Sequence, residues 1–199
     1  GNSCSSRRGV ALQGGKPIRV SSMSFQAPAR GDDYQPEMPE VPPPESLPSE
    51  RELSLEAGNL DESFMITTGE DLDIRVVEPV DWENPRPREP ILQAWMKTTG
   101  AVPDKRGLQQ SLLAYLSDAF LIDVCLIVHG RHFDGEGFQV ASLDHALWFH
   151  EDFRADEWLL HVVEADRIGG GRGLARGSFY TRDGRLVAST MQQGLMRFR

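Results

Sequence analysis

An α+β domain, with an antiparallel sheet wrapped against one long central helix, is the fold class that this sequence predicts. Three observations carry that expectation. The stretch "VPDKRGLQQSLLAYLSDAFLIDVCLIV" from Val102 is apolar on nearly every face and has an acid, Asp104, near its start, which predicts a buried helix of about six turns. Short apolar runs bounded by Pro or Gly lie before and after it, as strands do. Glycine turns at Gly14-Gly15 and Asp183-Gly184 separate paired runs, which predicts hairpins, the second with a type I′ turn.

The elements follow in order. The opening "SSRRGVALQGGKPIRVSSMSFQ" reads as strand, turn and strand, and a lone hairpin is marginal in water, so it needs something to pack on. From Ala27 to about Ser49 the chain is rich in proline and acid, with Pro42, Pro43 and Pro44 in a row, which favours an extended, semi-rigid connector. A short helix is expected around Leu47 to Ala57. "LDIRVVEPV" and "PILQAWMKTTG" then predict two strands ahead of the helix. Behind it "GFQVASLDHALWFH", "EWLLHVVEA", "GRGLARGSFYT" and "GRLVASTMQQGLMRF" predict four more. The closing hairpin echoes the opening one in its basic residues, its glycine turn and a strand ending in Ser, Met and Gln, which suggests two copies of one fold.

Bulk properties narrow the function. Lys and Arg number 21 against 30 Asp and Glu, a formal charge of −9, so no general attraction to nucleic acid or to an anionic membrane is expected. No apolar run reaches the ~18 residues of a membrane span, and no leader pattern opens the chain. Cys4 and Cys125 are far apart, and Cys125 lies in the apolar helix, where a reduced packing thiol is expected. A cytoplasmic protein is the expectation, and "RFR" at the end is no peroxisomal signal.

Asp118 stands out, because it sits between Leu116 and Phe120 and an ionised carboxylate out of water costs several kcal/mol unless it is paired. It has either a structural partner or a chemical task. On a continuous helix it would share a face with Ala114, Tyr115, Leu121, Ile122 and Cys125, and burial would raise its pKa. Asp123 is a rival acid on the same segment. Asp144 and His145 evoke a metal site or a relay pair, yet adjacent strand residues face apart and no Cys or His cluster has ligand spacing, so no metal and no other cofactor is expected. A serine-nucleophile elbow is absent. Gly169, Gly170 and Gly171 lack the Lys-Ser/Thr of a phosphate loop. Arg172 and Arg176 share a strand face, able either to meet phosphates or to stay solvated.

The blocks "ASLDHALWFHEDFRADEWLL", "GGGRGLARGSFYTRDGRLVASTMQQGLMR" and "LLAYLSDAFL" resemble the C-terminal repeat of the type II acyl-CoA thioesterases, and the opening hairpin is similar to the end of that family's first repeat. The resemblance implies a double hotdog with a truncated first repeat: residues 1–27 as its terminal hairpin, 28–70 as the connector and 71–199 as the second hotdog. It implies hydrolysis of fatty acyl-CoA by an activated water, without a covalent intermediate. The family's Asp falls on Asp118, its Gln on Gln192, and its Thr on Ser142, which keeps the hydroxyl and drops the methyl. Without the resemblance, Ser142 and Gln192 read as ordinary alternating strand polars. Tyr115, Arg172 and Arg176 are the candidate substrate contacts, and acyl-CoA and further copies of the chain are the expected partners. The alternative is a hotdog module that binds acyl-CoA, or only builds structure, without catalysis.

Overall fold

The computed structural model describes residues 3–58, 69–133 and 137–198. The chain divides into two compact units, residues 1–34 and 35–199. The first is a hairpin of β1 (Cys4–Gln13) and β2 (Lys16–Gln26). Its turn residues Gly14 and Gly15 have φ of 57° and 77°, the positive values a two-residue turn of this kind demands and glycine supplies freely.

The second unit is built on one antiparallel sheet of seven strands. These are β3 (Leu72–Val76), β4 (Ile91–Thr98), β5 (Phe138–Ser142), β6 (Ala146–Phe149), β7 (Leu159–Gly169), β8 (Arg172–Thr181) and β9 (Leu186–Phe198). Their order is β3-β4-β7-β8-β9-β5, with β6 also paired to β9. The expected strands are all present, but "GFQVASLDHALWFH" makes two strands rather than one. Ser142 pairs with Gly194 and Ala146 with Met191, so residues 143–145 bulge out opposite Gln192 and Gln193.

The expected long helix is two pieces. α2 (Arg106–Leu116) and α3 (Asp123–Ile127) are separated by a broken stretch that contains Asp118. A shorter α1 (Glu50–Glu56) precedes them, in the expected region, started by a capping box between Ser49 and Glu52. At the break Phe120 has φ of 69°, the one non-glycine in the left-handed region among the described residues. α2 is also less buried than its composition suggests. Leu113 and Leu116 are fully enclosed, whereas Leu108 and Tyr115 are exposed, so the helix is two-sided. α3 is the buried piece, with Val124, Cys125, Leu126 and Ile127 packed among Ile74, Met96, Val163 and Phe179 from the sheet. Each such Leu or Ile contributes roughly 1.5–3 kcal/mol by leaving water. Close packing is secured by glycine at Gly173, where a Cβ would stand 2.8 Å from Cys125 Sγ.

The proline-rich stretch is extended, as its composition predicts, yet its second half also serves as a cover. Met38, Val41 and Leu47 pack on Trp95, Leu160, Val162 and Tyr180, on the sheet face away from the helices. Trp95 Nε1 donates to the Pro42 carbonyl at 2.9 Å, and Arg75 donates to those of Pro44 and Leu47. Prolines suit this task because they leave carbonyl acceptors without spending an N–H of their own. The connector's last residues, 59–68, lie outside the described ones. The β8–β9 turn also differs from the expected type I′. Asp183 keeps a negative φ and Gly184 alone is positive at 88°, with Gly184 N bonded to Thr181 O and Thr181 N to Arg185 O. This is a three-residue loop with a glycine bulge.

Candidate active site

β9 supplies the centre of the site. Its residues alternate between faces, so Thr190 and Gln192 point the same way, into the side that carries the helices, and both are buried. Opposite them the 143–145 bulge brings Ser142 and His145 to the same place. It is pinned there by the Leu143 amide to the Gln193 carbonyl and by Asp144 Oδ1, which accepts from the Gln193 amide at 2.9 Å.

The result is a continuous chain of hydrogen bonds. Gln192 Nε2 donates to Ser142 Oγ at 2.6 Å, and Gln192 Oε1 lies 2.9 Å from His145 Nδ1. The other ring nitrogen, Nε2, lies 2.9 Å from Ser117 Oγ and 3.3 Å from Thr190 Oγ1. Ser117 is fully buried at the end of α2, next to Asp118. The network therefore joins the strand side of the site to the helix break.

Asp118 is exposed, and no hydrogen bond or ion pair engages its carboxylate among the described residues. This corrects the expectation of an acid enclosed by apolar neighbours on a continuous helix: the chain breaks after Leu116 and the carboxylate faces outward. The less exposed acid is Asp123, which is half-buried. Burial pushes its pKa up to about 7, helped by the nearby charges of Glu50 and Asp118, while the backbone amides of Asp123 and Phe120 partly offset the rise. A bulky residue at positive φ costs about 1–3 kcal/mol and persists only where its surroundings enforce it.

Ser142 is exposed and Gln192 is 1% exposed, so one faces the opening and the other supports it from within. Tyr115 stands exposed on α2, three residues before Asp118. Arg172 and Arg176 do share the outer face of β8, but Arg176 is engaged by Glu164 at 3.1 Å and Asp166 at 3.3 Å, while Arg172 reaches Gln193 Oε1 at 3.3 Å. Sequence reasoning missed Ser117 and Thr190, and weighed His145 only as half of a metal or relay pair with Asp144. The one available signal was that two-residue alternation cannot hold through "ASLDHALWFH" if both Ser142 and His145 face inward. Cys125 is free, and burial raises its thiol to about 11, so it packs rather than reacts. Among the described residues no group of His, Cys, Asp and Glu gathers to hold a metal, and no helix is long and apolar enough to cross a membrane. A depression of about 550 Å³ lies elsewhere, on Trp158, Lys97 and Arg154 beside the β8–β9 turn, and its three arginines are already ion-paired.

Comparison with known proteins identifies the family and the fold. The family model described as acyl-CoA thioesterase matches residues 88–195, over half of the chain. The chain is 35% identical, over 94% of its length, to acyl-CoA thioesterase 2 of Haemophilus influenzae, covering 67% of that protein. It is 32% identical to human acyl-coenzyme A thioesterase 8, over 99% of this chain and 65% of that one. It therefore spans about two thirds of the length of these relatives. A crystal structure of an acyl-CoA thioesterase II from Mycobacterium marinum superposes with a TM-score of 0.79 at 35% identity, over all of this chain and 70% of that one. A hotdog-fold protein from Alicyclobacillus acidocaldarius, 18% identical, gives 0.74 over 99% of this chain and 69% of that one, which supports the fold alone. The curled antiparallel sheet over α2 and α3 is a hotdog fold.

Proposed function

Since the chain belongs to the acyl-CoA thioesterase family, we propose that it takes part in hydrolysing fatty acyl-CoA to free acid and CoA, with Asp118 as general base and Ser142 and Gln192 as the polar groups that hold the water and the carbonyl. The observation that carries this reading is the Ser142–Gln192–His145–Ser117 chain, which ends one residue from a carboxylate that is exposed and unpartnered among the described residues.

The steps need no further group. Asp118 takes a proton from water as the water oxygen attacks the thioester carbonyl carbon, and the carbonyl oxygen becomes an oxyanion that accepts from the Ser142 hydroxyl. Collapse breaks the C–S bond, the CoA sulfur takes the proton back from Asp118, and the acid leaves. An exposed base is in contact with its water from the start. Ser142 in place of threonine keeps the donor and loses a methyl that would restrict its rotation. Tyr115 and Arg172 are the proposed substrate contacts, Tyr115 toward the acyl chain and Arg172 toward CoA phosphates. Arg176 is less available because two carboxylates already engage it.

A free-thiol assay over acyl-CoAs of graded chain length tests the reading. Wild-type protein releases CoA, and Asp118→Asn, folded by circular dichroism, releases it at least ~100-fold more slowly. Equal rates in the two proteins would sink the assignment. Tight acyl-CoA binding without turnover in the wild type would favour the binding module instead.

A further inference from the structure

His145 belongs to no role assigned so far, yet it is the midpoint of the hydrogen-bond chain, and the Gln192 carboxamide sets the direction in which that chain runs. Thr190 Oγ1 lies 2.9 Å from the Ala146 carbonyl oxygen and 3.3 Å from His145 Nε2. A hydroxyl has one proton to give, and Thr190 spends it on the nearer carbonyl. Ser117 Oγ lies 2.9 Å from both Nε2 and the Ala114 carbonyl. Gln192 Nε2 donates to Ser142 Oγ, so its Oε1 is the atom that faces Nδ1, and an acceptor there requires the ring proton on Nδ1. The ring Nε2 is then the accepting nitrogen, and the Ser117 hydroxyl beside it is its donor. Nδ1–H donates to Gln192 Oε1, the carboxamide is held with its nitrogen toward Ser142, and Ser142 Oγ accepts. The Ser142 proton is then not used inside the protein and points to the opening.

We propose that His145, protonated on Nδ1, is a positioning residue that fixes the Gln192 carboxamide and so turns the Ser142 hydroxyl outward as a donor. The opposite tautomer would reverse the chain. Nε2–H would donate to Ser117, the carboxamide would turn over, and Ser142 would spend its proton on Gln192, presenting only lone pairs to a developing oxyanion. The two directions make opposite demands on catalysis, and His145 is where they are decided. The inference rests on the reading of Ser142 and Gln192 given above.

Two measurements test it together. In imidazole ¹⁵N spectra of the wild-type protein, with the signal assigned by its loss in His145→Asn, the Nδ1-protonated tautomer is expected, and the Nε2-protonated one overturns the proposal. In the thiol assay, His145→Leu is expected to lower kcat about 10- to 100-fold with KM within about twofold, because a misaimed donor costs rate rather than binding. His145→Asn, whose amide nitrogen can occupy the place of Nδ1, should recover to within about threefold of wild type. Equal kcat in wild type and the Leu variant, or equal loss in both variants, overturns the proposal. Should the Leu variant fail to fold, the wild-type spectrum decides alone. Should the wild type release no CoA, the proposed function fails, and the spectrum still decides the tautomer.

Discussion

Asp118 and Asp123 lie five residues apart, the first inside the helix break and the second at the start of α3, and their surroundings are opposite. Asp118 is exposed and unengaged among the described residues. Asp123 is half-buried, and desolvation pushes its pKa up to about 7. By pKa alone Asp123 is the better-tuned base, since a catalytic group works best near the operating pH. By access it is the worse one. Two acids in one hydrophobic segment thus meet opposite surroundings because the helix is interrupted between them and the interruption presents Asp118 to solvent.

Several substitutions would break or sharpen this contrast, and the largest effect is expected at the strand side of the site. Gln192→Ala removes a buried amide, leaving His145 Nδ1–H and Ser142 without their shared partner. It should lower kcat about 10²-fold and stability by about 1–3 kcal/mol, read by thiol release and by urea unfolding. If kcat holds while stability falls, Gln192 is structural and the contrast loses its strand-side half.

The next effect is on stability against pH. Unfolded Asp123 loses its proton near 3.8, while the folded protein keeps it to about 7. Its contribution is therefore whole below 3.8 and is lost as pH rises to about 7. His161 acts in the opposite sense. It is fully buried against Phe179, neither ring nitrogen has a partner among the described residues, and burial, then the nearby His145, hold it down to about 3. Its contribution is whole above 6.5 and is lost as pH falls from 6.5 toward 3. Between about 4 and 6.5 the two slopes oppose each other, each on the order of 1–3 kcal/mol. Asp123→Asn should therefore make stability climb more steeply with pH in that window, and His161→Phe should flatten or reverse the climb. Matching slopes in the two variants would contradict the burial of one or the other.

The smallest effects belong to the arginines. Arg172→Ala should raise KM for acyl-CoA about two- to fivefold, and Arg176→Ala less than twofold, because Glu164 and Asp166 already hold that guanidinium. A larger change at Arg176 would mean that substrate outcompetes both carboxylates.

Most of the fold was legible in the sequence because period and punctuation set it. The strand runs, the Gly14-Gly15 turn and the hairpin at Asp183-Gly184 all form where they were read. What was not legible depends on contacts between distant residues. Nothing local in "YLSDAFLID" announces that Phe120 will adopt a positive φ, since the strand glycines beneath the segment, Gly173 and Gly194, act through packing from fifty and more residues away. The bulge at 143–145 is hidden for the same reason, as its pinning bonds go to Gln193, about fifty residues away. The cover formed by Met38, Val41 and Leu47 was masked by the prolines around them, which read as linker. Ser142 and Gln192 were found through the resemblance, and their direct bond gives that pairing a physical basis.

The most direct test is the ratio of two rates: CoA release by Asp118→Asn and by Asp123→Asn, measured side by side at a pH and temperature where both proteins are folded. The account predicts that the Asp123 variant stays within about threefold of wild type and at least ~30-fold faster than the Asp118 variant. Equal rates, or a faster Asp118 variant, would contradict it.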